Sequence, residues 1–323
     1  MSDSRRLDDA ILQAVTYAGL FDYPLTIAQL REALPVAAGE AALAERLTIS
    51  AWLAPVVTWR GGLVYPAGRD DLPGIRRRRE SITLPRLRAD TPALRFLTGL
   101  PFVRAVAISG SLAHLNADDG EAAGDLDLFV IAAPGHVWMT TVATLVVARL
   151  RGWRRRLCLN YVVADDALAL SPSDLFSANQ IVHLRPVAGE AAYRRFLDAN
   201  PWVAAHYPNF EPRRLEARPP GAPATRWTAL LAAAAPLLEP AARALYGWHL
   251  GRRSAGWATR DGVRLEAGCL KLHTSSHRQT VMRRYETALR AARSAAEAAA
   301  DAGVAAGWTS APTALAPPHR LRA

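Results

Sequence analysis

Apolar residues recur at helical spacing through Leu7, Ile11, Leu12, Val15 and Ala18, predicting an N-terminal helix that Gly19 stops. Pro24-Leu25-Thr26 then supplies a turn and an N-cap for a second helix over Ile27 to Leu34, and a third is expected from about Glu40 to Leu53. Two short apolar runs, Pro55 to Trp59 and Leu63 to Tyr65, flank Arg60-Gly61-Gly62 and predict a tight hairpin. Helix, helix, helix, hairpin is the order of a winged helix. From Val103 the pattern changes to short β-rich runs, Val103 to Ile108, Leu126 to Ala132 and Leu157 to Val163, with a strongly apolar helix predicted between Val137 and Leu150. Alternating elements of this kind make a mixed sheet with helices against it, and the fold class is α+β.

The expected organisation is a winged-helix-like module at 1–68, a sheet-bearing core with an arginine-rich lead-in helix at 69–170, a mainly helical region at 171–307 and a disordered Pro/Ala-rich tail at 308–323. A Pro-rich break is expected at Arg213 to Pro223. The apolar stretch at 228–238 ends at Glu239-Pro240, about half the ~20 residues of a membrane span, and is read as a buried helical segment with no transmembrane role. Met1 to Arg6 leads into an amphipathic pattern broken by Asp8 and Asp9 and not into the apolar run of a signal peptide, so a cytoplasmic location is expected.

Composition changes the picture less than it first suggests. The formal net charge is +10, but Lys271 is the only lysine among 39 basic residues, a skew that a GC-rich genome produces without selection for a polyanion. The third predicted helix carries one cation, Arg46, and the hairpin tip adds Arg60, too few for phosphate neutralisation, so DNA binding is not favoured. Two distant cysteines, Cys158 and Cys269, make neither a disulfide framework nor a zinc module. His273 and His277 share a helical face without a third ligand, and the tryptophans form no stacking ladder.

The stretch that carries chemistry is Ile108-Ser-Gly-Ser-Leu-Ala followed by Asp125-Leu-Asp-Leu-Phe-Val130. Two carboxylates two residues apart on a strand share one face, while Leu126 and Leu128 point to the core. Beside a glycine turn offering backbone N–H groups, such a pair suits Mg²⁺ and phosphate together. The acids of the intervening loop, Asp118, Asp119 and Glu121, are read as solvated. Arginines at Arg154 to Arg156 and in the run Arg76 to Arg79 are candidate phosphate contacts.

These residues resemble the signature of the polymerase-β-type nucleotidyltransferase superfamily. Together with Phe21-Asp-Tyr-Pro-Leu25 and Leu157-Cys-Leu-Asn-Tyr161, residues 7 to 210 are similar to a group of bacterial nucleotidyltransferase-domain proteins with an N-terminal winged-helix-like unit. The resemblance implies transfer of a nucleoside monophosphate from a nucleoside triphosphate (NTP) to an unidentified acceptor, whether small molecule, protein or RNA. It further implies that Asp125 and Asp127 are the catalytic, metal-binding residues for Mg²⁺, with Mn²⁺ as a substitute, and that Gly110, Ser111 and Asn160 contact the nucleotide. Asn160 stands where the superfamily usually has a third carboxylate. Asp165 and Asp166 are the nearest acids that a curled chain could bring back. A non-catalytic nucleotide-binding or regulatory protein that keeps the same fold is the alternative.

Overall fold

The computed structural model describes residues 2–117, 125–212, 226–257, 263–272 and 278–305. The expected Pro-rich break, the terminal tail, the loop acids Asp118, Asp119 and Glu121, and His273 and His277 lie outside the described residues. The chain forms two compact units, one of residues 1–72 with 283–323 and one of residues 73–282.

In the first unit, helices α1 (Asp3–Gly19), α2 (Ile27–Glu32) and α3 (Glu40–Ile49) pack with a three-stranded antiparallel sheet of β1 (Leu25–Thr26), β2 (Val57–Arg60) and β3 (Leu63–Pro66) in the order β1-β3-β2. The expected N-cap is realised as a capping box, in which Thr26 accepts from the Gln29 amide and the Gln29 side chain accepts from the Thr26 amide. Gly61 and Gly62 both take positive φ, +59° and +77°, as a tight hairpin turn requires. Asp8, which broke the amphipathic pattern of α1, is 2% exposed and receives Arg46 Nε and Nη2 at 2.7 Å each and Ser50 Oγ at 2.6 Å. The one cation of the third helix therefore turns inward, and its hydrogen bonds to Asp8 hold its pKa above the usual value.

The second unit begins with α4 (Leu72–Ala89) and α5 (Thr91–Thr98), then β4 (Val103–Ile108), the short α6 (Gly110–Ala113), β5 (Leu126–Ala132), α7 (Val137–Leu150) and β6 (Leu157–Ala164). It continues through α8 (Leu175–Val182), β7 (Arg185–Ala188), α9 (Glu190–Asp198), α10 (Trp202–His206), α11 (Arg226–Arg253) and the hairpin β8 (Val263–Leu265) and β9 (Cys269–Leu272). The sheet is mixed, in the order β7-β4-β5-β6-β9-β8, with β5 and β6 parallel and the other neighbours antiparallel. Three of its six strands, β7, β8 and β9, come from beyond residue 170. One face packs Leu126, Leu128 and Val130 with Leu94, Leu97, Val137 and Trp138, and the other packs Phe129, Ile131 and Tyr161 with Ile181, Tyr193 and Phe196.

Two sequence expectations change here. The apolar segment at 228–238 does not stop at Glu239-Pro240, because α11 runs on to Arg253 with Pro236 and Pro240 inside it. Glu239 explains the continuation. Its carboxylate accepts the first amides of α7, Trp138 N at 3.0 Å and Met139 N at 2.7 Å, so it serves a neighbouring helix end and not a stop. Nor is the segment wholly buried, since Leu230, Leu237 and Leu238 are exposed. No helix among the described residues is long and apolar enough to cross a membrane.

Helix α12 (Arg278–Ala305) follows, and from Arg283 onward it belongs to the first unit. Its apolar stripe seats Tyr285 edge-on against Tyr17, at 5.3 Å between centroids, and Arg293 donates twice to Asp9 at 2.7 and 2.8 Å. Arg283, Arg284 and Arg290 are exposed, as the sequence pattern predicts.

Removing Asp8 leaves a half-buried guanidinium and the Ser50 hydroxyl without their partner. The Asp8→Ala change is expected to destabilise the protein by about 3 kcal/mol in urea unfolding, with part recovered in Asp8→Ala/Arg46→Met. A loss below about 1 kcal/mol would show the pair to be dispensable.

Candidate active site around Asp127

The site is built where β4 ends and β5 begins. Ser109 N donates to the Asp127 carbonyl at 2.8 Å, which locks the end of β4 to the head of β5, and Gly110 then turns the chain with φ +65°. A side chain there is excluded twice. The conformation is left-handed, and a Cβ would stand 2.3 Å from Asp127 Oδ2. The turn and the carboxylate are thus in van der Waals contact only because residue 110 is glycine.

Asp127 is the second residue of β5 and Asp125 immediately precedes the strand; both are half-buried, between the fully buried Leu126 and Leu128. Burial pushes the Asp127 carboxyl up to about 6, the Asn160 hydrogen bond opposes that rise, and the charge of Asp125 adds to it. The two predicted carboxylates therefore do act on one another.

Asn160 is brought to the same place by an irregularity in β6. Leu128 pairs with Leu159 but Phe129 pairs with Tyr161, so Asn160 is an extra residue in the parallel ladder. Strict alternation along Leu157 to Val163 fails for this reason. Leu157 and Leu159 pack on one face of the sheet, while Tyr161 and Val163 pack on the other. The bulge frees Asn160 Nδ2 to donate to Asp127 Oδ1 at 2.6 Å, and its amide oxygen accepts from the Cys158 thiol at 2.9 Å. Burial, together with the charges of Asp127 and Asp125, pushes that thiol up to about 11, so it stays a protonated donor. Cys158 was not among the expected site residues. Its two-residue spacing from Asn160, matching that of Asp125 and Asp127, is the signal that finds it.

Other expected residues are distributed differently. Asp165 follows β6 at its far end, seven residues beyond the partner of Asp127, or roughly 23 Å along the strand. It is paired with Arg195 at 2.6 Å, so neither it nor the adjacent Asp166 replaces the missing acid. Arg156 donates to the buried Asp90 at 2.6 Å and is committed there. Arg154 is exposed, and its charge reaches the Cys158 thiol. From α4, Arg79 donates to Asn116 Oδ1 at 3.1 Å and Thr83 accepts from Ala117 N at 3.2 Å, pinning the segment that follows Ser111. His114, on the same segment, lies against His183 with 4.2 Å between ring centroids.

Among the described residues no group of three or more His, Cys, Asp and Glu side chains gathers as a metal site. A pair of carboxylates is nevertheless a donor set of the hard kind that suits Mg²⁺, which completes its shell with water and substrate phosphate. Comparison of the chain with protein-family models, with curated proteins and with solved structures returns no match.

Because the folded Asp127 carboxyl is a weaker acid than its ordinary value of 3.8, folding stability is fully present below that pH and falls as pH rises through about 6. In metal-free buffer, Asp127→Asn is expected to unfold at higher urea than wild type at pH 8, by about 2 kcal/mol, and to show no advantage at pH 4. An equal gain at both pH values would remove the ionisation argument.

Proposed function

We propose that the chain is a Mg²⁺-dependent nucleotidyltransferase, moving a nucleoside monophosphate from an NTP to an acceptor hydroxyl. The observation that carries the reading is the close approach of the Gly110 turn to the Asp127 carboxylate, which puts backbone that suits phosphate beside acids that suit a cation. Asp125 and Asp127 would hold the metal, whose bound chemistry is to offset charge developing on the phosphates and to orient the leaving pyrophosphate. The Gly110–Ser111 turn would present backbone N–H groups and a hydroxyl to phosphate oxygens. Asn160 would keep Asp127 in one orientation. Exposed Arg154 and Arg155 are the arginines of their run left to meet phosphate. In the transfer, the acceptor oxygen bonds to the α-phosphorus as the bond to pyrophosphate breaks.

A second reading is favoured by one observation. The residue that β6 offers at the acids is an amide already donating to Asp127, and an amide takes no proton at neutral pH. A nucleotide-binding protein without turnover needs nothing more than this.

The two readings separate on incubation with Mg²⁺ and each α-labelled NTP, with and without cell lysate as a source of acceptor. Transfer predicts labelled product from wild type and at least a 100-fold loss in Asp125→Ala/Asp127→Ala. Mg²⁺-dependent binding without product favours the second reading, and no nucleotide binding at all removes both.

A further inference from the structure

The chain's only lysine, Lys271, stands on β9 in an arrangement that costs energy without a ligand. Its cross-strand partner on β8 is Arg264, a like charge directly opposite. On its other side it pairs with Tyr161 of β6, and Lys271 Nζ lies 5.1 Å from the centre of that ring. Two residues earlier on β9, Cys269 is buried with Tyr161, so Lys271 shares the sheet face that bears Asp127 and Asn160. Arg278 adds a third positive charge in reach of the ammonium, and burial and the two arginines all hold the Lys271 pKa down. The nearby carboxylate, Asp174, is spent elsewhere: one oxygen accepts from the Ser177 amide at 2.8 Å and the other is ion-paired with Arg278. Arg264 is steadied by donating to the Ser171 carbonyl at 2.9 Å. Among the described residues no hydrogen bond or ion pair is formed by the Lys271 ammonium, whose contact is with the face of the Tyr161 ring.

Two arginines converge on a half-buried lysine that one already-engaged carboxylate does not neutralise, and the group that relieves this is an anion. Phosphate is the anion these donors suit, with a point charge from Lys271 and planar forks from the two arginines. Its position in the sheet says whose phosphate it is. The Gly110 turn leaves β4, the acids lie on β5, Asn160 on β6, Lys271 on β9 and Arg264 on β8. Lys271 and Arg264 therefore lie on the opposite side of the acids from the turn, two and three strands from β5, or roughly 10 and 14 Å. A phosphate held by these cations is then a second group, distinct from the one at the turn.

We propose that Lys271, Arg264 and Arg278 bind a phosphate group carried by the acceptor, so that the acceptor is a phosphorylated molecule. The assignment rests on the nucleotidyltransferase reading, with the donor at the Gly110 turn. The test uses the full chain, inorganic phosphate as the probe of this site and an NTP with Mg²⁺ as the probe of the other, each followed by calorimetry. Wild type is expected to bind phosphate without Mg²⁺, Lys271→Gln to weaken it at least tenfold, and Lys271→Arg to stay within about threefold. NTP affinity is expected to be the same in wild type and Lys271→Gln, and unchanged by saturating phosphate. Thermal midpoints are expected to hold or rise in Lys271→Gln, because one of two opposed like charges is gone. Phosphate binding that ignores Lys271→Gln, or a midpoint that falls by several degrees, overturns the proposal and leaves Lys271 a structural residue. Competition between NTP and phosphate for Lys271 overturns the assignment to the acceptor. Phosphate bound through Lys271 with no NTP bound anywhere sustains the anion site and overturns the transfer reading.

Discussion

The missing Cβ of Gly110 is the constraint on which the candidate site depends. The turn after β4 lies directly on the Asp127 carboxylate, at a distance that no side chain at residue 110 permits. This contact shields Asp127 from water on one side, and the neighbouring strand shields it on another. Both raise the cost of its charge, and the Asn160 and Cys158 donors recover only part of that cost. The site is thus poised for a cation: it holds two carboxylates that repel one another, in a setting where protons or metal are the means of relief. Structure whose only purpose was stability would gain by placing a leucine at Asp127.

The same economy of donors explains Asn160. A parallel β5–β6 pair in perfect register would turn residue 161 away from the Phe129 face, and the one-residue bulge restores it. In doing so it directs the Asn160 amide at Asp127, with the Cys158 thiol fixing which end of the amide donates. A carboxylate at 160 would set a third negative charge 2.6 Å from an acid already disinclined to ionise. The amide is therefore what the unliganded fold prefers. The proposed transfer would have to dispose of the acceptor's proton without a carboxylate on β6.

Much of this was legible in the sequence, and the limits were physical. Period-2 alternation put Asp125 and Asp127 on one face and Leu126 and Leu128 in the core. The glycine pair and Thr26 likewise carried their turn and cap in their chemistry. Legibility failed where a long-range partner decided the outcome. Asp8 reads as a break in an amphipathic helix until Arg46, 38 residues on, arrives to neutralise it. Glu239-Pro240 reads as a stop until the free amides of α7 claim the carboxylate. A bulge leaves no mark in local composition, so β6 was expected to alternate throughout. The strands β7, β8 and β9 are three or four residues each, too short for any period to declare them.

Lysine and arginine counts offer a last lesson in where charge matters. Several arginines are engaged by carboxylates of the fold: Arg46 with Asp8, Arg156 with Asp90, Arg195 with Asp165, Arg293 with Asp9. Each pairing cancels a charge that the total of +10 counts in full or offsets elsewhere. A net charge is therefore a poor guide to an anion's location. The informative quantity is local imbalance, and on the face of the sheet that bears Asp127 it has two signs: a surplus of carboxylate at the head of β5 and a surplus of cation across β9 and β8. The two are separated by Asn160 and Tyr161 on β6, and the two-ligand reading proposed above rests on that separation and not on the total charge.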